Sequence, residues 1–226
     1  MDILKILEDT HEKELIDSLG GVYAHIADRQ EAWKAAASFS CPDACGDCCM
    51  HFEPDLLECE ALYLAAWILE HDEELAHRLM DGSHVSANND DGCILFNPHS
   101  PWHCTVYGGR CLICRLFGYA GEYDKNGKPR WRPCRFYPDE KLLPFEHREY
   151  GEEELARFAA PLPIMADFME QALSLSPDGS GQTEPLREAL PKALRKLMLI
   201  AYMKGFDDDG DNDNGGGNDT PTPLSA

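Results

Sequence analysis

Four cysteines stand within nine residues of this chain, in the pattern Cys41-x3-Cys45-x2-Cys48-Cys49, and no other feature limits its fold so strongly. Ligands two or three residues apart can turn their sulfurs inward around one ion, and Gly46 between them lets the backbone turn tightly. Adjacent cysteines behave differently. Cys48 and Cys49 are expected to point apart, so that one of them serves a second site or bridges two ions.

The chain holds ten cysteines in all, and the compartment decides what such a number means. The opening residues, MDILKILEDTHEKELIDSLGG, mix acids and bases at helical spacing and contain no continuous apolar segment of the signal-peptide kind. A chain without a leader is expected in the cytoplasm, where disulfides rarely persist and metal binding accounts better for clustered thiols. Acidic residues number 41 against 20 basic ones, a formal charge of −21. That balance excludes nucleic acid as a partner, because neutralising phosphates needs concentrated Lys and Arg. It equally disfavours an anionic membrane surface. The longest apolar run, Ala61 to Leu69, is too short to cross a bilayer and reads as part of a buried helix. The clustered thiols make a metal ion the expected partner, and the composition names no protein partner.

At 226 residues, 43% of them hydrophobic, the chain suits one domain with a sizeable core. Residues 2–19 carry Ile3, Leu4, Ile6, Leu7, Leu15, Ile16 and Leu19 among charges, which predicts an amphipathic helix ended by Gly20-Gly21. A second helix is expected from Val22 to Ala37. Residues 38–50 have no helical period and read as a loop. Pro54-Asp55 then opens a long helix to about Met80, followed by a polar connector from Gly82 to Gly92. Between Cys93 and Tyr137 the pattern is short, aromatic and rich in Gly, Pro and Cys. Within it, Asn126-Gly127 separates Gly118–Tyr123 from Arg130–Trp131, the signal of a small β-hairpin. Helices are expected again over 152–175 and 186–204, with Gly205 as a stop. The residues after Phe206 lack the apolar content to offset the entropy of ordering. They also lack the glycine and glutamate of a calcium-binding loop. The expected fold is mainly α, with helices packed around an irregular Cys-rich metal-binding segment that holds a small β-hairpin. Residues 1–206 are expected to form a single helical domain with a cysteine-cluster core (41–136), and residues 207–226 a disordered acidic tail.

Five further cysteines fall in the central segment: Cys93, Cys104, Cys111, Cys114 and Cys134. The stretch Cys104-Thr-Val-Tyr107-Gly-Gly-Arg110-Cys111-Leu-Ile-Cys114-Arg115-Leu-Phe117, taken with Cys41-x3-Cys45-x2-Cys48-Cys49, resembles the YkgJ-type cysteine-cluster family of zinc- or iron-chelating domains. Cys93 in Gly92-Cys93-Ile94 fits that family's isolated cysteine, and Cys134 in Pro133-Cys134-Arg135 fits its last ligand. The resemblance spans about residues 41–136. It implies the metal ligands Cys41, Cys45, Cys48, Cys49, Cys93, Cys104, Cys114 and Cys134, enough for one or two sites holding zinc or iron ions, or an iron–sulfur cluster.

Cys111 departs from the family pattern and is either an extra ligand or a neutral neighbour. Cys59 falls in the middle of a predicted helix and reads as a small core residue. His103 adjoins Cys104 and His51 lies two residues past Cys49, and each could replace a sulfur. Arg110, Arg115 and Arg135 lie beside ligands, where guanidinium groups could offset the charge of buried thiolates and donate hydrogen bonds to them. Tyr107 and Phe117 are expected to pack against the site. Pairing Cys45-x2-Cys48 with Cys111-x2-Cys114 would give a zinc ribbon, but with about sixty residues between the knuckles, more than such ribbons usually have. The C-x3-C-x2-C spacing also occurs in radical S-adenosylmethionine enzymes, but the strand–helix alternation of their barrel is absent here.

The expected function is therefore metal binding by a zinc- or iron-chelating cysteine-cluster protein, the metal being structural or carried. The other readings are an iron–sulfur enzyme, since the motif also looks like that of flagellin lysine N-methylases, and a thiol-based redox sensor. No Ser/His/Asp grouping, phosphate-cradling loop or nucleotide fingerprint points to catalysis.

Overall fold

The computed structural model describes residues 2–39, 45–88, 92–137, 142, 145–176 and 181–210, with residues 206–210 described by their backbone alone. The helices are α1 (Ile3–Ile6), α2 (His11–Ala37), α3 (Asp47–Met50), α4 (Glu58–His71), α5 (Glu73–Asp81), α6 (Leu112–Leu116), α7 (Glu152–Leu155), α8 (Met165–Leu173) and α9 (Leu186–Gly210). Four two-residue strands, β1 (Asp55–Leu56), β2 (Glu122–Tyr123), β3 (Pro129–Arg130) and β4 (Glu184–Pro185), form two antiparallel pairs, β1 with β4 and β2 with β3. The chain is mainly helical and carries the expected small hairpin. No helix among the described residues is long and apolar enough to cross a membrane.

Helix α4 is the centre of the molecule. Leu62, Leu64, Ala65, Ala66, Ile68 and Leu69 are all buried, so α4 is apolar around most of its circumference and has to be wrapped. Helices α2, α5 and α9 wrap it. The joins between helices differ from the sequence expectation in ways the packing explains. The first break comes at residues 7–10, where Asp9 takes a φ of 63° and the Thr10 hydroxyl accepts the Lys13 amide hydrogen at 3.2 Å. Helix α2 then runs straight through Gly20-Gly21. Leu15, Ile16, Leu19, Tyr23 and Ile26 recur at helical spacing across the two glycines, and all are buried. Burying that stripe against α4 outweighs the roughly 1 kcal/mol that each glycine costs in a helix.

The long helix expected from Pro54 is also divided. The Pro54 carbonyl accepts the Leu186 amide hydrogen at 2.9 Å, and Asp55–Leu56 is extended against Glu184–Pro185, so helix starts only at Glu58. It breaks at Asp72, whose carboxylate accepts from the Leu75 amide at 2.9 Å and caps α5. Residues 152–175 form two helices instead of one. Pro161 and Pro163 lie between them, each without an amide hydrogen and each restricting the residue before it. Helix α9 passes Gly205 and reaches Gly210, four residues into the stretch expected as a tail. Residues 211–226 lie outside the described residues.

A second core, almost wholly aromatic, fastens the hairpin to the end of α2. Trp33 and Trp131 meet edge to face at 5.7 Å, and Phe39, Phe145 and Tyr150 close around Trp131. A backbone bridge between Trp131 and Tyr150 holds these two segments together, with hydrogen bonds of 2.9 and 2.8 Å. These contacts carry the chain from β3 to Cys134. The cysteine-rich segment thus lies between the α2–α4–α9 core and this aromatic cluster.

Candidate metal centre

Three stretches of irregular chain bring thiols together. The first is α3, a single helical turn that carries Cys48 and Cys49. Their sulfurs are 3.9 Å apart, so the adjacent cysteines do not point apart as expected. A tetrahedral site with metal–sulfur bonds of about 2.3 Å has sulfur–sulfur edges of about 3.8 Å, close to this separation. The second stretch is a hairpin-like loop, in which Phe96 bridges to Cys104 and the Thr105 amide donates to the Leu95 carbonyl at 3.0 Å. It sets Cys93 near Cys104. The third stretch is the turn into α6, with Cys111 just ahead of the helix and Cys114 within it.

Hydrogen bonds lock the stretches to one another. The Cys93 amide donates to the Cys49 carbonyl at 3.1 Å. The Asn88 side-chain amide donates to both carbonyls, Cys49 at 3.0 Å and Cys93 at 3.2 Å. Gly92 has no room for a side chain, since a Cβ there would lie 2.5 Å from Asn88 Nδ2 and 2.5 Å from the Met50 carbonyl oxygen. Gly46 has the same role on the other side. Its φ of −121° demands no glycine, but a Cβ would stand 2.3 Å from the Cβ of His103. Gly46 is therefore needed for close approach of the Cys45–Cys49 loop to the Cys104 loop, rather than for a tight turn. Gly46→Ala is expected to push these two loops apart, at a cost of about 2 kcal/mol typical of overpacking. A urea midpoint equal to that of the parent chain would contradict it.

The electrostatics show which thiols share one neighbourhood. The hydrogen bond from Cys49 holds Cys48 down at about 7, helped by the Arg110 charge, and pushes Cys49 up, with burial adding to the rise. Burial pushes Cys93 up to about 12 and Cys104 to about 11, and the Cys114 thiol adds to both. Cys114 is the common neighbour, felt also by Cys49 and Cys111. So Cys48, Cys49, Cys93, Cys104 and Cys114 come together from the three stretches. Cys45 lies at their edge, its thiol donating to Asp47 at 3.3 Å. Cys134 rests against Gly118, just beyond α6, with its Cβ 3.6 Å from where a Gly118 Cβ would be. Cys41 lies outside the described residues. Among the described residues, no three Cys, His, Asp or Glu side chains close around a common point as finished ligands would.

Two buried atoms bear on whether an ion fits. Arg110 Nε is buried without a hydrogen-bond partner, and the Arg110 charge lowers both Cys48 and Cys104. An unpaired buried guanidinium N–H is costly, and a thiolate beside it would satisfy it. Glu53 Oε1 is likewise buried and unpartnered, while Glu53 Oε2 accepts from Arg187 Nε at 2.6 Å. Its charge acts on Cys93. Thiolates holding a cation here would accept from Arg110 Nε, and the cation would offset the Glu53 carboxylate, so the donor set fits a zinc or iron ion.

The remaining candidates fall elsewhere. Cys111 is buried in the main core, and its thiol, hydrogen-bonded to Cys114, is pushed far up; it behaves as a neutral neighbour of Cys114. Cys59 is a core residue of α4, as expected. His51 is exposed, and the His103 ring packs on Gly46. Of the three arginines, only Arg110 is placed to act on the site thiols. Arg115 lies over the Tyr23 ring at 4.0 Å and donates to the Arg110 and Gly108 carbonyls at 2.8 and 2.9 Å, which ties down the loop. Arg135 lies over Phe136. Tyr107 and Phe117 are exposed at the rim, Tyr107 between Trp102 and Arg110, and Phe117 against Phe52.

Sequence reasoning passed over two residues that build the site. Asn88 sits in a stretch read only as a connector, and no local signal marks it. Glu60 had a signal, a carboxylate on a helix face otherwise made of Leu, Ala and Ile. It is 4% exposed, and its two oxygens accept from the Leu57 amide at 3.2 Å and the Leu112 amide at 2.8 Å. It thereby caps α4 and α6 together and anchors the Cys111–Cys114 turn on the central helix.

Thiols gathered from three remote stretches onto a helical core, beside an unpaired arginine donor, define a cysteine-rich metal-chelating type of protein. Residues 40–135, less than half of the chain, match the model of the CxxCxxCC family, described as a "putative zinc- or iron-chelating domain". No curated protein and no solved structure matches the chain.

Proposed function

We propose that the cysteine group holds one or two zinc or iron ions whose main task is structural, cross-linking loops that have little regular structure of their own. The ligands in this reading are Cys45, Cys48, Cys49, Cys93, Cys104, Cys114 and Cys134, with Cys41 completing the set. The observation that carries it is the convergence of the Cys48, Cys49, Cys93, Cys104 and Cys114 thiols beside the unpartnered Arg110 Nε. The ion supplies the positive charge that makes buried thiolates tolerable, and Arg110 donates to the sulfurs from outside. Thiols kept in the reduced form suit a reducing compartment such as the cytoplasm.

Elemental analysis and a visible spectrum of anaerobically purified protein test this reading. Colourless protein with one or two zinc ions per chain is the expected result, or iron held without inorganic sulfide. A broad visible absorbance with acid-labile sulfide would replace the structural ion by an iron–sulfur cluster. Metal-free protein with every thiol free would end the proposal.

A further inference from the structure

Glu53 follows the Cys48–Cys49 turn and leads into β1, and its side chain is only 12% exposed. One carboxylate oxygen is committed: Oε2 accepts from Arg187 Nε at 2.6 Å. The other, Oε1, is buried and meets no hydrogen-bond donor among the described residues. A buried carboxylate oxygen without a donor is costly, so such an atom calls for a partner. An ion pair that only clasps α9 to the cysteine loops accounts for Oε2 and leaves Oε1 unexplained.

Arg187 also shows where the carboxylate lies. The guanidinium that holds Oε2 donates through Nη2 to the Gly92 carbonyl at 3.2 Å. Glu53 is thereby held beside the residue that precedes Cys93, whose own amide is tied to the Cys49 carbonyl at 3.1 Å. The Glu53 charge is felt at the Cys93 thiol. A carboxylate fixed by a donor on one oxygen and open at the other has the form of a metal ligand, since ligating carboxylates are themselves hydrogen-bonded from behind. Zinc takes Glu oxygen alongside Cys sulfur. Resting on the reading that the thiols hold an ion, we propose that Glu53 Oε1 is an oxygen ligand of the ion bound at Cys93, positioned by Arg187. Arg187 is the second residue of α9, so the ligand also links the first turn of that helix to the ion.

X-ray absorption at the zinc edge, on the full chain loaded with zinc, tests this. Zinc–oxygen bonds of about 2.0–2.2 Å separate from zinc–sulfur bonds of about 2.3 Å. The expected result is an oxygen contribution in the parent chain that is lost in Glu53→Leu and kept in Arg187→Met. Both substitutions destroy the same ion pair, so a difference between them reports the ligand and not the clasp. Zinc retention against a chelator should fall about tenfold in Arg187→Met, the lower end of what losing a group behind a ligand costs, and about a hundredfold or more in Glu53→Leu. A parent site of sulfur alone overturns the assignment of Glu53 and leaves the cysteine site standing. An oxygen contribution that survives in Glu53→Leu does the same, as does an equal loss of retention in the two variants. A parent chain that retains no zinc overturns the thiol reading, and this ligand with it.

Discussion

Stripping the metal from the purified chain should release the segment of residues 92–134, with the Cys45–Cys49 loop that packs on it, while much of the helical signal remains. That segment is poor in regular structure: α6 and the hairpin are short, and the rest is held by side-chain clips and the Cys–Cys neighbourhood. Without an ion, burial keeps Cys93 and Cys104 protonated at neutral pH and favours no close sulfur contacts. With an ion, thiolates from three stretches become one cross-link. By comparison with structural zinc in small domains, the binding free energy is on the order of 10 kcal/mol, comparable to the whole stability of a typical domain. Helices α2, α4, α5 and α9 pack on one another without help from the thiols and should keep most of their helicity. Amide hydrogen exchange before and after treatment with a strong chelator is the measurement. Protection should fall sharply over residues 92–116 and much less within α2 and α4. Equal protection throughout, with an unchanged melting temperature, would remove the structural role.

How far the sequence could be read depended on the range of the physics involved. The hairpin was legible because Asn126-Gly127 and its flanking residues are local signals, and Gly127 does take a φ of 76°. That thiols distant in sequence would gather was legible because thiols cluster for few reasons, and Cys48, Cys49, Cys93, Cys104 and Cys114 do come together. Helix joins were less so. Gly20-Gly21 looks like a stop until Leu19 and Tyr23 are seen buried on the same face against α4, which is a tertiary fact. Asp72 and Pro54 mark breaks only once their partners, the Leu75 and Leu186 amides, are known. The arginines illustrate the same limit. Arg110, Arg115 and Arg135 look alike beside their cysteines, but Arg115 is drawn away by the Tyr23 ring and two carbonyls. Asn88 was invisible because its role is set by two carbonyls, one of them 39 residues distant in sequence.

Glu60→Ala should be the most damaging substitution outside the cysteines. The carboxylate is buried in the central helix, and it joins the start of α4 to the start of α6. Alanine would leave the Leu57 and Leu112 amide hydrogens in the core without acceptors, each costing about 1–3 kcal/mol, so a loss of about 4 kcal/mol is expected. The damage should extend to the site, because the Leu112 amide follows directly on Cys111. Weaker metal retention in competition with a chelator is the expected companion result. Glu60→Gln keeps the shape but turns an amide N–H toward one of the two donors, and should cost about half as much. The two substitutions also separate through pH. Burial raises the Glu60 pKa above its ordinary value of 4.5, so ionising it opposes folding. The stability this group contributes is therefore full below about 4.5 and declines as pH rises through the raised value. Glutamine cannot ionise and lacks that decline, so the advantage of the parent chain over Glu60→Gln should shrink as pH rises from 4 toward neutrality. Urea unfolding of both chains across that range decides the matter, and a difference that stays constant with pH would show that Glu60 is ionised as readily in the fold as outside it.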